Sequence, residues 1–96
     1  MKEKQITASI RQLLKTFGIF HYKQHQGLGS TPGVPDIVGI YQGRYLGIEV
    51  KTRNGVVSDN QRRFIDTINA AGGIAFVARS VDDVIDNLGL KTRMLF

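Results

Sequence analysis

The 96-residue sequence has no cysteine, only two prolines and no long apolar run. The absence of cysteine excludes a disulfide framework and any metal site built from thiolates. No apolar run reaches the roughly 18 residues that a membrane-spanning helix needs. The first twelve residues, MKEKQITASIRQ, contain no apolar signal core. We therefore predict a cytoplasmic protein that does not associate with membranes.

Acidic residues are few in comparison with basic ones. Lys and Arg together number 13 against 8 Asp and Glu, which gives a formal net charge of +5 and an isoelectric point near 9.9. Such an excess favours polyanionic partners, and nucleic acid is the foremost of these. A chain of this length is expected to form one domain over 1–96 and to gain further burial from oligomerisation.

The apolar spacing predicts three helices. Residues 3–17 have apolar side chains on one helical face, and Gly18 follows as a C-terminal cap. The second helix is predicted over 58–71 and the third over 80–88. Ser58 with Gln61, and Ser80 with Asp83, have the spacing of a capping box, in which each side chain of the pair bonds the other residue's backbone amide.

Strands are predicted between these helices. An extended segment at 19–25 is followed by a loop at 26–35, which contains three glycines and both prolines. Two strands at 37–41 and 44–51 flank Gln42-Gly43, and a short buried strand follows at 74–78. The resulting order is α-β-β-β-α-β-α, and the strands on either side of the second helix are expected to run parallel.

The hairpin around Gln42-Gly43 places charged residues together. If its turn has two residues, Tyr41 faces Arg44 and Asp36 lies opposite Glu49 on the same sheet face. Opposed Cβ atoms are about 4.5–5.5 Å apart. The alternation of a strand puts Lys51 on that face as well.

Two carboxylates held this close repel each other, so a cation must bind between them or one pKa must rise. Lys51 supplies part of the compensation, and a hard divalent ion such as Mg²⁺ would supply more. The Val50 carbonyl is a further possible ligand, and Lys51 could stabilise charge on a phosphate. The alternative is that Glu49 and Lys51 form an ordinary exposed pair worth about 0–1 kcal/mol, while Asp36 merely ends the loop.

The short motifs at these positions resemble a known nuclease signature. "PD" at 35–36 and "EVK" at 49–51 look like the PD-(D/E)xK signature, and the order of elements matches that superfamily. More narrowly, G-x-P-D, G-x-x-x-G-I-E-V-K-T, S-x-x-Q and A-G-G resemble the stand-alone VRR-NUC nucleases of phages and bacteria. The tripeptide of the family name is absent, and "QRRF" at 61–64 is the nearest run. The resemblance implies an α/β fold with a restriction-endonuclease-like αβββαβα core, a central mixed sheet and flanking helices.

The resemblance also implies a Mg²⁺- or Mn²⁺-dependent endonuclease that hydrolyses phosphodiester bonds in DNA. It assigns Asp36, Glu49, the Val50 backbone carbonyl and Glu3 as metal ligands, Lys51 as the catalytic lysine, and Gln61 as a further active-site residue. Two of these assignments have alternatives: the Gln61 side chain could only close the capping box at Ser58, and Glu3 could only stabilise a helix dipole.

Four basic residues are candidate phosphate contacts: Lys23, Arg53, Arg62 and Arg63. The alternative is a solvated basic surface. The "QGLGSTPG" segment is expected to be a phosphate cradle, a lid or a simple connection. Because VRR-NUC nucleases resemble Holliday-junction resolvases, we predict a homodimer that acts on branched or four-way DNA. The candidates for an apolar dimer surface are Tyr41, Tyr45, Leu90, Met94, Leu95 and Phe96.

Two other classes of function stay open at the level of the sequence. The first is a nucleic-acid-binding module that keeps the fold without cutting. The second is a structural or interaction protein whose carboxylates form a surface cluster. An RNA substrate is also compatible with the motifs, because the core chemistry does not distinguish the two sugars.

Overall fold

The computed structural model describes residues 1–25 and 31–90. Seven elements follow one another: α1 (Glu3–Thr16), β1 (His21–Lys23), β2 (Ile37–Tyr41), β3 (Arg44–Val50), α2 (Asp59–Ala70), β4 (Ile74–Ala78) and α3 (Val81–Leu88). Their order is the predicted one, and the α/β class is confirmed. No helix within the described residues is long and apolar enough to cross a membrane.

The four strands form one mixed sheet in the order β1-β2-β3-β4. The first three strands pair antiparallel, whereas β3 and β4 run parallel with α2 connecting them. A parallel pair needs a crossover of this kind, because a tight turn cannot reverse the chain twice. The predicted parallel arrangement is therefore confirmed.

The hairpin of β2 and β3 turns at Gln42 and Gly43, which have φ angles of 52° and 76°. Positive φ at both central residues is the mark of a type I′ turn, whose twist matches that of the strands. Tyr41 consequently pairs with Arg44, and Ile37 pairs with Ile48. This is the predicted register.

The sheet is covered differently on its two faces. The main apolar core lies between one face and the helices α1 and α3, and Ile10, Leu14 and Ile48 are fully buried there. On the other face, α2 packs Ile65 and Ile68 against β4. Residues of β3 alternate between the two layers, so neighbouring side chains on this strand enter different environments.

The two predicted capping boxes differ. At the start of α2, Ser58 and Gln61 bond each other's backbone amide, as predicted. At the start of α3, Ser80 accepts from the Asp83 amide at 3.3 Å, but the Asp83 carboxylate accepts from the Arg79 amide at 2.8 Å. The second box is therefore not reciprocal, because this short acidic side chain bonds the amide one residue earlier.

The prediction of surface apolar residues was wrong at two positions. Tyr41 and Leu90 are buried, at 7% and 0% exposure. Tyr41 lies on the sheet face covered by α1 and α3, and its hydroxyl donates to the Leu88 carbonyl at 3.0 Å. Tyr45 is exposed, as predicted. Met94, Leu95 and Phe96 lie outside the described residues.

We expect Tyr41→Phe to lower the free energy of unfolding by about 1–2 kcal/mol, because the Leu88 carbonyl at the end of α3 loses its buried donor. Urea unfolding measures the change. Tyr45→Phe is the control, since it removes the same hydroxyl from an exposed side chain and should cost less than about 0.5 kcal/mol. Equal losses in the two variants would contradict a specific role for the Tyr41 hydroxyl.

Candidate active site

Asp36 lies directly before β2 and is fixed on both sides. Its Oδ2 atom accepts from the Val50 amide at 2.8 Å, and its backbone carbonyl accepts from the Gln24 amide at 2.8 Å. The preceding Pro35 is fully buried beside Gly47, where an added Cβ would lie 2.9 Å from the proline ring. The Asp36 carboxylate is therefore held against the end of β3.

Glu49 is only 2% exposed, which is unusual for an acidic residue. Its Oε2 atom accepts from Gln61 Nε2 at 3.1 Å and lies 4.0 Å from Lys51 Nζ. Its Oε1 atom is buried and has no hydrogen-bond partner among the described residues. A buried oxygen of this kind is costly unless a proton or a cation satisfies it.

Gln61 bonds two elements through one amide group. Its Oε1 accepts from the Ser58 amide at 2.9 Å, and its Nε2 donates to Glu49. The two partners fix which atom is oxygen and which is nitrogen. Gln61 therefore closes the capping box of α2 and also bonds the Glu49 carboxyl. Its role as an active-site residue stays a prediction.

The pKa of Glu49 is raised from 4.5 to about 8. Burial is the largest cause, followed by the hydrogen bond that the protonated Glu49 carboxyl can donate to the Asp36 side chain and by repulsion between the two carboxylates. Lys51 lowers the pKa, and Glu3 raises it. Without a bound cation, the Glu49 carboxyl therefore keeps its proton at neutral pH and can share it with Asp36.

The chemistry of these donors fits a hard divalent cation. Mg²⁺ binds proteins through one or two carboxylates and keeps several waters or phosphate oxygens as further ligands. Glu49 and Asp36 are two such carboxyls close together, and one Glu49 oxygen has no hydrogen-bond partner among the described residues. Among residues 1–25 and 31–90, no group of three or more His, Cys, Asp or Glu could hold a metal ion. Two carboxyls would leave the other positions around such a cation to water or to phosphate oxygens.

The profile of the VRR-NUC domain matches residues 1–82 of the sequence. The chain belongs to the VRR-NUC family. This is a nuclease-type family, and the resemblance identified from the motifs is confirmed. No curated protein sequence matches the chain.

Two solved structures of VRR-NUC domains have the same fold. One, described as a VRR_NUC domain protein, has a TM-score of 0.75 and 20% sequence identity, over 98% of this chain and 90% of that one. The other, described as a VRR_NUC domain, has a TM-score of 0.74 and 22% identity, over 93% and 96% of the two chains. At these identities the likeness establishes the fold, and the roles of individual residues rest on this chain's own geometry.

Glu3, the acidic residue that the VRR-NUC resemblance adds, lies at the edge of the site. It is exposed at the first residue of α1 and lines a surface depression that also contains Lys23 and Asp36. Its charge reaches Glu49, as the raised pKa indicates. It does not form a three-residue ligand cluster with Asp36 and Glu49. A metal-binding role for Glu3 stays a prediction, as does that of the Val50 carbonyl.

The four basic residues predicted to contact DNA all have exposed side chains. Lys23 ends β1 and lines the depression beside Asp36. Arg53 lies in the loop that follows Lys51. Arg79 Nη1 donates to three backbone carbonyls of this loop, at residues 52, 53 and 55. Arg62 and Arg63 are in the first turn and a half of α2, directly after Gln61. The "QGLGSTPG" prediction falls partly on 26–30, which lie outside the described residues.

The sequence interpretation missed the role of Gly33. This residue has a φ of +86°, and an added Cβ would overlap the Asn60 carbonyl oxygen and lie 3.0 Å from the Gln61 amide nitrogen. The loop before Asp36 therefore packs directly on the first turn of α2. The only signal in the sequence was the glycine of the G-x-P-D motif.

Proposed function

We propose that this VRR-NUC protein is a Mg²⁺- or Mn²⁺-dependent endonuclease that hydrolyses phosphodiester bonds in branched DNA, such as four-way junctions. The observation that carries the proposal is the buried Glu49 carboxyl, which has one unpartnered oxygen and lies beside Asp36 and Lys51. A structural protein would gain stability by replacing this carboxyl with an apolar group, because burying it costs free energy. Buried carboxyls with a strongly raised pKa occur mostly at functional sites, where the loss of stability is accepted for binding or catalysis.

The residues of the site have separable tasks. Asp36 and Glu49 would hold the cation, which would supply an activated water and positive charge beside the phosphate. The Val50 amide and the Gln61 side chain keep the two carboxyls in place. The Lys51 ammonium, which lies 4.0 Å from the Glu49 carboxyl, would stabilise negative charge that develops on the phosphate in the transition state.

The preference for branched DNA and the homodimer are parts of the same proposal. Symmetric cutting of a four-way junction needs two active sites, and each copy of this chain supplies one. The net charge of +5 supports binding to a polyanion. Exposed Lys23, Arg53, Arg62 and Arg63 are proposed to contact phosphates, so affinity should fall steeply as salt rises.

Lys51→Ala is expected to lower the cleavage rate by about 10²–10³-fold, because the loss of one preorganised charge-stabilising donor has this magnitude. The measurement is cleavage of a labelled four-way junction in Mn²⁺, with EDTA to establish metal dependence. Lys15→Ala is the control. It removes the same charge from an exposed position in the last turn of α1, at the end of this helix away from Glu3, and the variant should cut within about twofold of wild type.

Three outcomes would reject parts of the proposal. Unchanged cleavage by Lys51→Ala would reject the role of the lysine. DNA binding without cleavage in any metal would favour the non-cutting binding module. If Asp36→Asn stabilised the fold and wild-type protein neither bound nor cut DNA, the carboxylates would be an ordinary cluster. A comparison of flap, fork and four-way substrates tests the preference for branched DNA.

A further inference from the structure

The sheet face that carries α2 is only half covered. The helix packs on β3 and β4. Across the rest of this face, in the described part of the chain, four large apolar side chains are solvent-exposed. We call this set the aromatic patch: Phe20 (64% exposed), Tyr22 (47%), Ile40 (54%) and Tyr45 (43%).

Strand pairing places the whole aromatic patch on one face. Ile40 pairs with Tyr45 across β2 and β3, and Tyr22 pairs with Val38 across β1 and β2. Phe20 is level with Ile40, because the Ile40 amide donates to the Phe20 carbonyl at 3.1 Å. Paired residues share a face, and so do residues two apart on a strand. The patch is therefore continuous across three strands.

The same alternation connects the patch to the candidate active site. Asp36 lies on the same face as Val38, and Glu49 lies on the same face as Tyr45, because residues an even number of positions apart on a strand point to the same side. The Gln24 amide donates to the Asp36 carbonyl, so Gln24 lies beside Asp36. Tyr22 precedes Gln24 by two residues and is therefore roughly 7 Å along the strand from Asp36. The carboxylates and the aromatic rings thus line consecutive parts of one surface.

Two exposed rings of the patch, Phe20 and Tyr22, contact each other edge to face. The ring centroids of Phe20 and Tyr22 are 6.3 Å apart with an angle of 65° between their planes. Aromatic side chains on an open sheet face can stack two or three successive bases of an unpaired strand. Each stacked base contributes roughly 5- to 150-fold in affinity, and this contribution tolerates any sequence.

We propose that the aromatic patch binds unpaired bases of a DNA strand whose phosphate backbone continues to Asp36 and Glu49. This inference rests on the proposed function, because it takes the substrate to be nucleic acid. It adds that, among branched substrates, flaps and forks with a single strand beside the scissile bond are preferred over the fully paired four-way junction.

A second copy of the chain fits the patch less well. The four side chains expose roughly 400 Å², so a second copy seated on them would need about as much area again from their surroundings to reach the roughly 800 Å² per partner of a stable complex. Each copy carries a net charge of +5, which attracts a polyanion to this surface. A partner seated here would also cover the surface beside Asp36 that the substrate needs.

The experiment compares two DNA probes in EDTA, so that no cleavage occurs. Fluorescence anisotropy measures the affinity for a labelled 12-nucleotide single strand and for the blunt duplex of the same sequence (the probe lengths are about those of one binding site). The variant is Phe20→Leu/Tyr22→Leu, which keeps apolar side chains but removes both rings. We expect it to bind the single strand at least about tenfold more weakly and the duplex within about twofold of wild type, with an unchanged salt dependence.

Phe20→Tyr/Tyr22→Phe is the matched control, since it exchanges the two rings and should retain the wild-type affinity for the single strand. Thermal unfolding of each variant confirms that it is folded. Unchanged single-strand affinity in the leucine variant would overturn the proposal, as would equal losses on both probes. A wild-type dimer that dissociates in the leucine variant, with single-strand affinity per chain preserved, would assign the patch to a second copy.

The two proposals fail separately in this design. A protein that never cuts DNA but shows the ring-dependent preference for single strands would contradict the nuclease proposal and support the patch. A protein that cuts DNA in Mn²⁺ without that preference would contradict the patch alone.

Discussion

Glu49→Gln is expected to lower the cleavage rate by roughly 10³-fold or more, because a bound metal supplies several kcal/mol of transition-state stabilisation. Glutamine keeps the size of the side chain but cannot carry the negative charge that a hard cation requires. Cleavage of a labelled four-way junction in Mn²⁺ measures the loss. In parallel, Mn²⁺ at pH 8 should raise the melting temperature of wild type and leave that of the variant unchanged.

The same substitution should change stability in the opposite direction when metal is removed. The pKa of Glu49 is about 8 in the folded protein and 4.5 ordinarily, so between these values the folded chain holds a proton that the unfolded chain has lost. The protonated Glu49 carboxyl therefore adds to the free energy of unfolding. Its contribution is fully present below pH 4.5 and is lost as the pH rises through about 8. Wild type should therefore become less stable by a few kcal/mol over this range.

Glutamine mimics the protonated carboxyl, so the Glu49→Gln protein should lack this pH dependence and be more stable than wild type at pH 9 in EDTA. Urea unfolding at several pH values measures the effect. Asp66→Asn is the control, because it neutralises an exposed carboxylate on α2 and should preserve the wild-type pH dependence. If Glu49→Gln unfolded with the wild-type pH dependence, another group would be responsible for it.

Gly33→Ala is expected to lower the free energy of unfolding by about 3 kcal/mol and to reduce cleavage as well. Part of the cost is the positive φ of 86°, which an alanine adopts with strain. The rest comes from overlap with the backbone of Asn60, which cannot rotate away as a side chain could. The loop and the first turn of α2 must separate, and the bond from Gln61 to Glu49 is then weakened.

Gly72→Ala separates these two causes. Gly72 has a φ of +96°, but an added Cβ there meets no atom within 4 Å among the described residues. It therefore bears the backbone strain alone and should cost about 1 kcal/mol with cleavage intact. Urea unfolding and junction cleavage are measured on both variants. If both lost the same stability and kept full activity, close packing at Gly33 would have no part in the site.

Local rules in the sequence were sufficient to predict the acidic pair. A two-residue turn at Gln42-Gly43 determines the register of its hairpin, and the register alone places Asp36 near Glu49. The capping spacing from Ser58 likewise predicted where α2 begins, and thus where Gln61 lies. These features depend on residues that are close in the chain, so propensity and periodicity are enough to find them.

Features that depend on which face of the sheet a helix covers could not be predicted. Tyr41 and Tyr45 are both tyrosines at the tip of one hairpin, but α1 and α3 cover the face of Tyr41, while the part of the opposite face that carries Tyr45 is open. The approach of Gly33 to Asn60 joins residues 27 positions apart in sequence, and no local pattern marks it. The choice of layer is a property of the assembled fold rather than of any segment.

The amide of Gln61 has a consequence for which residue can occupy this position. A helix closes its first turn equally well with glutamate or glutamine at the third residue. Here the second atom of the amide must donate to a buried acid, and glutamate would instead bring a third negative group against Glu49. The neighbouring strand, rather than the helix in which it lies, therefore decides the identity of this residue.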